Sequence, residues 1–231
     1  MSALIRLHWP ALSRRLLITA GVFFAAFGVV ALLVQFDTFG RLNLRLTHYL
    51  QNRGSLGQDI GLGVFSYLGS IEVTLLIAAL LGVALFRGLR LLAVLPAVFV
   101  LAGSLLEVIG KFVISSPAPG TAFQRFPNIL PSMGHKVGHY SFPSGHVLRA
   151  AIVYGLLLYL AERWELFGRD SSRLSPVLVL VIFFVGYGVV YLGWHWLSDA
   201  IGGLLLGLTL LFALIAYLER KRTVNPGHQL D

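Results

Sequence analysis

Six long apolar runs constrain this chain more than any other feature of its sequence. Each has roughly the 17–25 residues that a helix needs to cross a hydrocarbon layer of ~30 Å. The runs cover residues 16–36, 64–86, 91–114, 144–160, 176–195 and 200–218. They are apolar on nearly all sides of the predicted helix, as in helices embedded in lipid. The sequence therefore predicts a protein that spans a membrane.

The composition supports this prediction. Of the 231 residues, 57% are hydrophobic and 12% are charged, which is about half the charged fraction of an ordinary soluble domain. A chain of this length has too little interior to bury so many apolar side chains. An ordinary soluble enzyme, a disordered tail and a disulfide scaffold are excluded, and the absence of cysteine excludes thiolate metal sites. We expect an all-α bundle of six transmembrane helices in a single domain, residues 1–231.

The distribution of Lys and Arg predicts the orientation of the bundle. Six spans put both termini on one side of the membrane. The basic residues on that side are Arg6, Arg14, Arg15, Arg87, Arg90, Arg163, Arg169, Arg173, Arg220, Lys221 and Arg222. Those on the other side are Arg41, Arg45, Arg53, Lys111, Arg125, Lys136 and Arg149. The excess predicts cytoplasmic termini. Much of the net charge of +8 then reflects topology, and nucleic acid is not an expected partner.

Four polar stretches fall at the same predicted end of the helices. Lys111 lies near the outer end of the third helix, and residues 143–146 open the fourth. His195 closes the fifth helix, and Asp199 opens the sixth. Polar groups at membrane depth cost free energy and usually have a function. We therefore predict one site at the outer face of the membrane.

The residue types in this group suit phosphoryl transfer. Gly145 lets the backbone approach a ligand closely, amides at a helix N-terminus bind anions, and Lys111 adds positive charge. His146 and His195 offer a general acid and a nucleophile, because imidazole titrates near neutral pH. Asp199, four residues after His195, can hold one ring nitrogen and leave the other free to attack.

Three segments resemble the signature motifs of the type 2 phosphatidic acid phosphatase (PAP2) superfamily. They are Lys111, residues 142–146 and residues 191–199. The resemblance extends over the third to sixth helices, and it implies a phosphatase that needs no metal or other cofactor and that vanadate inhibits. It also implies that His195 attacks phosphorus to form a phosphohistidine, that Asp199 supports His195, and that the histidine of residues 142–146 protonates the leaving group.

The same resemblance implies that Lys111, Ser144 and the amide of Gly145 hold the phosphate. Two arginines of the family pattern are missing, and Ala118 and Val189 stand at their positions. A guanidinium pairs with phosphate through two hydrogen bonds, so each missing arginine removes a few kcal/mol of binding or transition-state stabilisation.

Arg149 is the predicted replacement for a missing arginine. It follows His146 by three residues and lies one turn deeper on the same helix face. An arginine inside a spanning helix needs an anionic partner, which is the substrate phosphate, Glu72 or Glu107. If Arg149 binds phosphate, Arg149→Ala abolishes turnover in a protein that still folds. Arg125 and Lys136 are weaker replacements, because they belong to a loop.

Other polar residues have simpler interpretations. Glu107 precedes Lys111 by four residues and is expected to offset its charge. Glu72 is expected to be a buried hydrogen-bonding residue. His135 and His139 have a spacing found in zinc sites, but the glycines around them disfavour the helix that such a site needs. We expect no metal.

We interpret the chain as an integral membrane phosphatase of PAP2 type that hydrolyses a lipid phosphate or diphosphate at the outer face of a bacterial inner membrane. Its expected partners are this substrate and the surrounding lipids. The motifs leave phosphatidate, phosphatidylglycerophosphate, polyprenyl diphosphate and sphingoid phosphates open as substrates. One alternative, favoured by the missing arginines, is a catalytically silent lipid-binding or scaffold protein. Another is a lipid phosphotransferase that passes the phosphoryl group to an acceptor other than water.

Overall fold

A computed structural model describes residues 2–89, 93–125, 140–164 and 171–224, excluding the side chains of residues 2–11, 87–89, 163–164, 171–172 and 222–224. Helices dominate these ranges, which confirms the predicted all-α class. The helices are α1 (Ser2–Gln35), α2 (Gly40–Gln51), α3 (Leu56–Tyr67), α4 (Ile71–Leu89), α5 (Leu95–Val113), α6 (Gly145–Trp164), α7 (Ser171–Tyr191) and α8 (Leu197–Val224). A 3₁₀ turn covers Thr121–Phe123.

The count of candidate spans agrees with the prediction. Among the described residues, α1, α5, α6, α7 and α8 are each long and apolar enough to cross a membrane. The pair α3 and α4 passes the same test together, with a bend of 46° between the two helices, and counts as a sixth span if it is taken as one. The single helix predicted over residues 64–86 is therefore wrong in both its start and its continuity. The glycines and most polar residues of α3 precede Val64, so the apolar run begins late in that helix, and the break at residues 68–70 falls inside the run.

The start of α3 nevertheless has a clear local cause. Ser55 caps the helix, because its hydroxyl accepts a hydrogen bond from the Gln58 N–H while the Gln58 side chain accepts one from the Ser55 N–H. Such a reciprocal pair satisfies two donors that a helix N-terminus otherwise leaves unpaired. The bend at residues 68–70 separates α3 from α4. In α4, Glu72 is exposed, so its predicted burial is wrong.

The sequence did not predict α2, which is too short to cross a membrane. This helix exposes Leu42, Leu44 and Tyr49 and buries Asn43 and Thr47. It contacts α7 and α8. Its polar inner face binds the start of α8, where the Asn43 amide donates a hydrogen bond of 2.9 Å to the Ser198 hydroxyl. The helix α2 therefore lies at the end of the bundle where α8 begins.

The most buried helix of the bundle is α6. It contacts α4, α5, α7 and α8, while α8 also packs along α1. Glycines on α8 permit the close approach to α6, because a Cβ at Gly207 would lie 2.6 Å from the Leu148 carbonyl oxygen. Since α5 and α7 end where α6 and α8 begin, the predicted polar stretches meet at one end of the bundle. The side of the membrane on which this end lies stays a prediction.

Candidate active site

The N-terminus of α6 lies close to the last turns of α5, and glycines make this approach possible. A Cβ at Gly110 would lie 2.5 Å from Cδ of Pro143. A Cβ at Gly145 would overlap the carboxylate of Glu107. Only a hydrogen atom fits at these two positions. The close approach places Lys111 beside the N-terminus of α6.

Asp199 connects the three motif segments. Its backbone carbonyl accepts a hydrogen bond of 2.9 Å from the Ser144 N–H. Its Oδ2 accepts one of 2.9 Å from the Trp196 N–H, and its Oδ1 one of 3.4 Å from the Ser116 hydroxyl. The bond to Trp196 caps the first turn of α8. The residue is fully buried, with two hydrogen bonds holding its carboxylate and a third holding its backbone.

His195 lies in the turn between α7 and α8, where the chain reverses. Gly193 has a φ of +69°, a conformation that glycine adopts without strain. The Val189 carbonyl then accepts hydrogen bonds from the N–H groups of Trp194 and His195. This turn buries His195 and places its Nδ1 3.5 Å from Oδ2 of Asp199, a separation longer than a normal hydrogen bond.

His146 and Ser144 present polar atoms toward the same place. The rings of His146 and His195 have centroids 6.4 Å apart. Nε2 of His146 and Oγ of Ser144 are buried and have no hydrogen-bond partner in the part of the chain that the structure describes. Buried polar atoms in native proteins nearly always have partners. Two unpaired atoms beside a helix N-terminus therefore mark a place where an anionic ligand can bind.

The two cations predicted for the site share one glutamate. Lys111 Nζ lies 2.6 Å from Oε1 of Glu107, and Arg149 Nη1 lies 2.5 Å from Oε2 of the same residue. The expected pairing of Glu107 with Lys111 is confirmed. Arg149 is paired with Glu107 in the structure, and binding of phosphate by Arg149 stays a prediction.

Comparison with known proteins identifies the family. The model of the PAP2 superfamily matches residues 89–223, which is more than half of the chain. The chain belongs to the PAP2 superfamily. The matched range contains Lys111, Ser144, His146, His195 and Asp199, so the resemblance predicted from the motifs is confirmed at the level of the family.

Two relatives show how far the similarity extends. Phosphatidylglycerophosphatase B of Bacillus subtilis (strain 168) is 34% identical over 82 residues, a stretch that covers 35% of this chain and 40% of that protein. The crystal structure of a transmembrane PAP2 type phosphatidylglycerolphosphate phosphatase from Bacillus subtilis matches with a TM-score of 0.74. That match has 21% identity and covers 87% of this chain and 96% of the other. The PAP2 bundle predicted from the sequence is confirmed, and the chain is an integral membrane protein.

The structure locates the two positions, 118 and 189, at which the motif resemblance led us to expect arginines. Val189 is buried in an apolar cluster with Val147, Ala150 and Val185. Ala118 follows Pro117, whose carbonyl accepts a hydrogen bond from the Trp196 indole. The described residues do not include Lys136, His135 or His139. In the described ranges, no group of three His, Asp or Glu side chains is arranged to hold a metal ion.

Arg125 has partners of its own. Its Nε donates a hydrogen bond of 2.8 Å to Oδ1 of Asp59, and its guanidinium lies 5.4 Å from the centre of the Tyr191 ring. The hydrogen bond to Asp59 raises the pKa of Arg125 above its usual value. Its N–H donates to the Leu192 carbonyl. Arg125 therefore holds residues 121–125 against α3 and the end of α7.

Sequence reasoning missed two residues that support the site. Ser116 donates a hydrogen bond to Asp199. The only feature of the sequence that pointed to it was the pair Ser115 and Ser116 shortly after Lys111. Asn43 donates to the Ser198 hydroxyl and accepts a hydrogen bond of 3.2 Å from the Ser198 N–H. Asn43 could not be found because α2 was not predicted.

Replacing Gly145 with alanine tests the contact between α5 and α6. We expect Gly145→Ala to lower the free energy of unfolding by about 1–3 kcal/mol, because the new methyl group overlaps the Glu107 carboxylate. The measurement is thermal unfolding in detergent micelles. Gly61→Ala is the matched control, since a Cβ at this helical glycine meets nothing within 4 Å. Equal stability of the Gly145 variant and the wild type contradicts the described packing.

Proposed function

We propose that this protein hydrolyses a lipid phosphate through a phosphohistidine at His195. One observation carries the proposal: the turn after α7, the start of α8 and the N-terminus of α6 bring His195, Asp199 and His146 together beside Lys111. The name of the Bacillus subtilis relative supports phosphatidylglycerophosphate as the first substrate to test. Lipid diphosphates are a further substrate class for the same chemistry.

The first chemical step follows from the geometry of the histidines. Because Nδ1 of His195 faces Asp199, Nε2 is the nitrogen that attacks phosphorus. The N–P bond forms while the bond from phosphorus to the lipid oxygen breaks. His146 gives its proton to the departing oxygen. The carboxylate of Asp199 stabilises the positive imidazole that forms on His195.

The second step restores the enzyme. His146, now neutral, takes a proton from water as the water oxygen attacks the phosphohistidine. The N–P bond breaks, and inorganic phosphate leaves. Both steps have the same requirement: positive charge and hydrogen-bond donors must surround the oxygens of phosphorus in the transition state.

The phosphate-binding part of the proposal uses the N-terminus of α6. The Ser144 hydroxyl, the Gly145 amide and the Lys111 ammonium supply the donors, and the helix end adds its partial positive charge. The unpaired hydroxyl of Ser144 supports this assignment. Since these groups come from the protein alone, we propose that the reaction needs no metal or other cofactor.

The location of the site suits a lipid substrate. The site lies at the end of the spanning helices, so the acyl chains stay in the bilayer while the phosphate enters at the level of the headgroups. Beside the site, α2 exposes Leu42, Leu44 and Tyr49. Exposed apolar side chains on a short amphipathic helix are typical of a helix that lies at a membrane surface. From the distribution of Lys and Arg we propose that this surface is the outer face of a bacterial inner membrane.

A second candidate function is a catalytically silent lipid-binding or scaffold protein. It is favoured by one observation, that Glu107 is paired with both Lys111 and Arg149. The two candidates differ in a simple assay on the purified protein. Phosphate release from a panel of lipid phosphates that depends on His195 supports the hydrolase. Lack of release from every lipid, with the protein folded, supports the silent protein.

The proposed acid role of His146 makes a prediction that depends on the leaving group. We expect His146→Ala to lower turnover of a lipid phosphate about 10²- to 10³-fold, because the alkoxide then departs without a proton. With p-nitrophenyl phosphate the loss shrinks to about tenfold or less, since nitrophenolate leaves without help. The comparison uses kcat/KM for both substrates, because kcat/KM reports the steps up to formation of the phosphohistidine and excludes the later hydrolysis step, which also uses His146. Equal losses on the two substrates contradict the role of general acid.

A further inference from the structure

Glu107 connects the two buried cations of the site. One carboxylate oxygen binds Lys111 at 2.6 Å, and the other binds Arg149 at 2.5 Å. The side chains of Glu107, Lys111 and Arg149 are only 12%, 8% and 7% exposed. A buried charge without a partner costs several kcal/mol. The three residues therefore form one unit and hold each other in place.

Arg149 is fixed by two hydrogen bonds in addition to its ion pair with Glu107. Its Nε donates a hydrogen bond of 3.2 Å to the Gly69 carbonyl, and its Nη1 donates one of 3.4 Å to the Ser104 hydroxyl. Gly69 is buried in the break between α3 and α4, where a backbone carbonyl outside regular helix needs another donor. If Arg149 moved toward a bound phosphate, the Gly69 carbonyl would lose this donor. Arg149 is thus an anchor for Glu107.

Glu107 is also confined by packing, because its carboxylate lies against the Cα of Gly145. Lys111 is held differently. Its ammonium has three donors, and one of them binds Glu107. The other two can reach an anion at the N-terminus of α6. Glu107 therefore limits the positions that the flexible lysine side chain can take.

We propose that Glu107 is a positioning residue that, anchored by Arg149, directs the ammonium of Lys111 toward phosphate bound at the N-terminus of α6. The identity of the anion as substrate phosphate rests on the function proposed above. In this arrangement Arg149 binds Glu107 rather than phosphate. A single oriented lysine then contributes to binding where the family pattern has additional arginines.

A competing interpretation predicts the opposite effect. If the Glu107 carboxylate acts as an internal anion that phosphate must displace from Lys111, removing its charge strengthens the binding of phosphate. If Glu107 positions Lys111, removing its charge weakens that binding. The hydrogen bonds from Arg149 to Gly69 and Ser104 favour the positioning role of Glu107. A carboxylate that is paired with an anchored arginine is not easily displaced from Lys111.

The test is the affinity of the full-length protein for orthovanadate in detergent micelles, measured by tryptophan fluorescence. Trp194 is a natural reporter, since its ring centroid lies 5.7 Å from that of His146. We expect Glu107→Gln to weaken vanadate binding at least tenfold, because an amide has one acceptor oxygen and no charge for two cations. Unchanged or tighter binding overturns the proposal.

Two further variants separate positioning from a general effect on folding. Glu219→Gln removes a carboxylate that is 1% exposed on α8, about 30 Å from Asp199 along the helix, and should leave vanadate binding unchanged. In the Lys111→Met background, Glu107→Gln should cause little additional loss, because Glu107 acts through Lys111. An equal loss with and without Lys111 overturns the proposal.

A shorter acid keeps the test decisive if Glu107→Gln does not fold. Glu107→Asp retains the charge but not the reach to both cations, so we expect vanadate affinity between those of the wild type and Lys111→Met. Affinity equal to or above that of the wild type overturns the proposal. Binding is independent of turnover. If the variants weaken vanadate binding as expected while the wild type releases no phosphate, the proposed function fails and the positioning role stands.

Discussion

Replacing His195 with alanine is expected to lower turnover of a lipid phosphate by at least about 10⁴-fold, the loss typical of removing a nucleophile. No second group can take its place, because Nε2 is the atom that forms the N–P bond in the proposed reaction. The fold should persist. The turn around His195 is held by backbone hydrogen bonds to Val189 and by the positive φ of Gly193, neither of which uses the imidazole.

The measurement is phosphate release by purified protein, together with thermal unfolding to verify the fold. His48→Ala is a matched control, since this histidine lies on α2 at the same end of the bundle and its ring contacts Phe123 rather than the site. We expect the control to retain wild-type activity. A His195→Ala protein that is folded and releases phosphate at more than about one hundredth of the wild-type rate contradicts the assignment of the nucleophile.

Changing Asp199 to asparagine is expected to lower turnover about 10³- to 10⁴-fold, similar to the loss when the orienting carboxylate of a catalytic triad is replaced by an amide. The asparagine oxygen can still accept the hydrogen bond from the Trp196 N–H, so the start of α8 is retained. Its neutral amide cannot stabilise the positive imidazole, and its NH₂ group cannot accept a proton from Nδ1 of His195. The loss therefore reports on chemistry rather than on folding.

Asp59→Asn is the matched control for this prediction. Asp59 is also a buried aspartate at this end of the bundle, but its carboxylate binds Arg125 and the Tyr191 hydroxyl. We expect the control to lose stability while retaining kcat within about threefold. If Asp199→Asn keeps more than a tenth of wild-type kcat, the carboxylate has no electrostatic role in the reaction.

The sequence was sufficient to predict the spans because lipid imposes a length and an apolar character on each helix. It was insufficient for α2 and α3. The helix α2 is amphipathic and short, and its polar face binds Ser198 far along the chain. The helix α3 contains glycines and Asp59, which reduce its hydropathy, although its Ser55 cap and Gln58 were visible signals. Local signals of this kind are lost in a search for long apolar runs.

The candidate site also has residues that the sequence predicted and contacts that it did not. Lys111, His146 and His195 could be found because motif spacing and topology place them at one end of the bundle. The partner of Arg149 could not be chosen from the sequence, since a phosphate and Glu107 both satisfied its need for an anion. In the structure Arg149 is paired with Glu107. This contact depends on the approach of α5 to α6 at Gly145, and such a distance between helices depends on the packing of the whole bundle.

The most direct measurement of the central claim is the location of the phosphoryl group during turnover. Protein reconstituted in lipid nanodiscs with EDTA present is mixed with phosphatidylglycerophosphate that carries a ³²P-labelled terminal phosphate. The reaction is quenched at alkaline pH, at which phosphohistidine is stable, and the labelled peptide is identified. We predict label on His195 that forms and decays as fast as phosphate is released. Release of phosphate with the label on another residue, or with none on His195, contradicts the account.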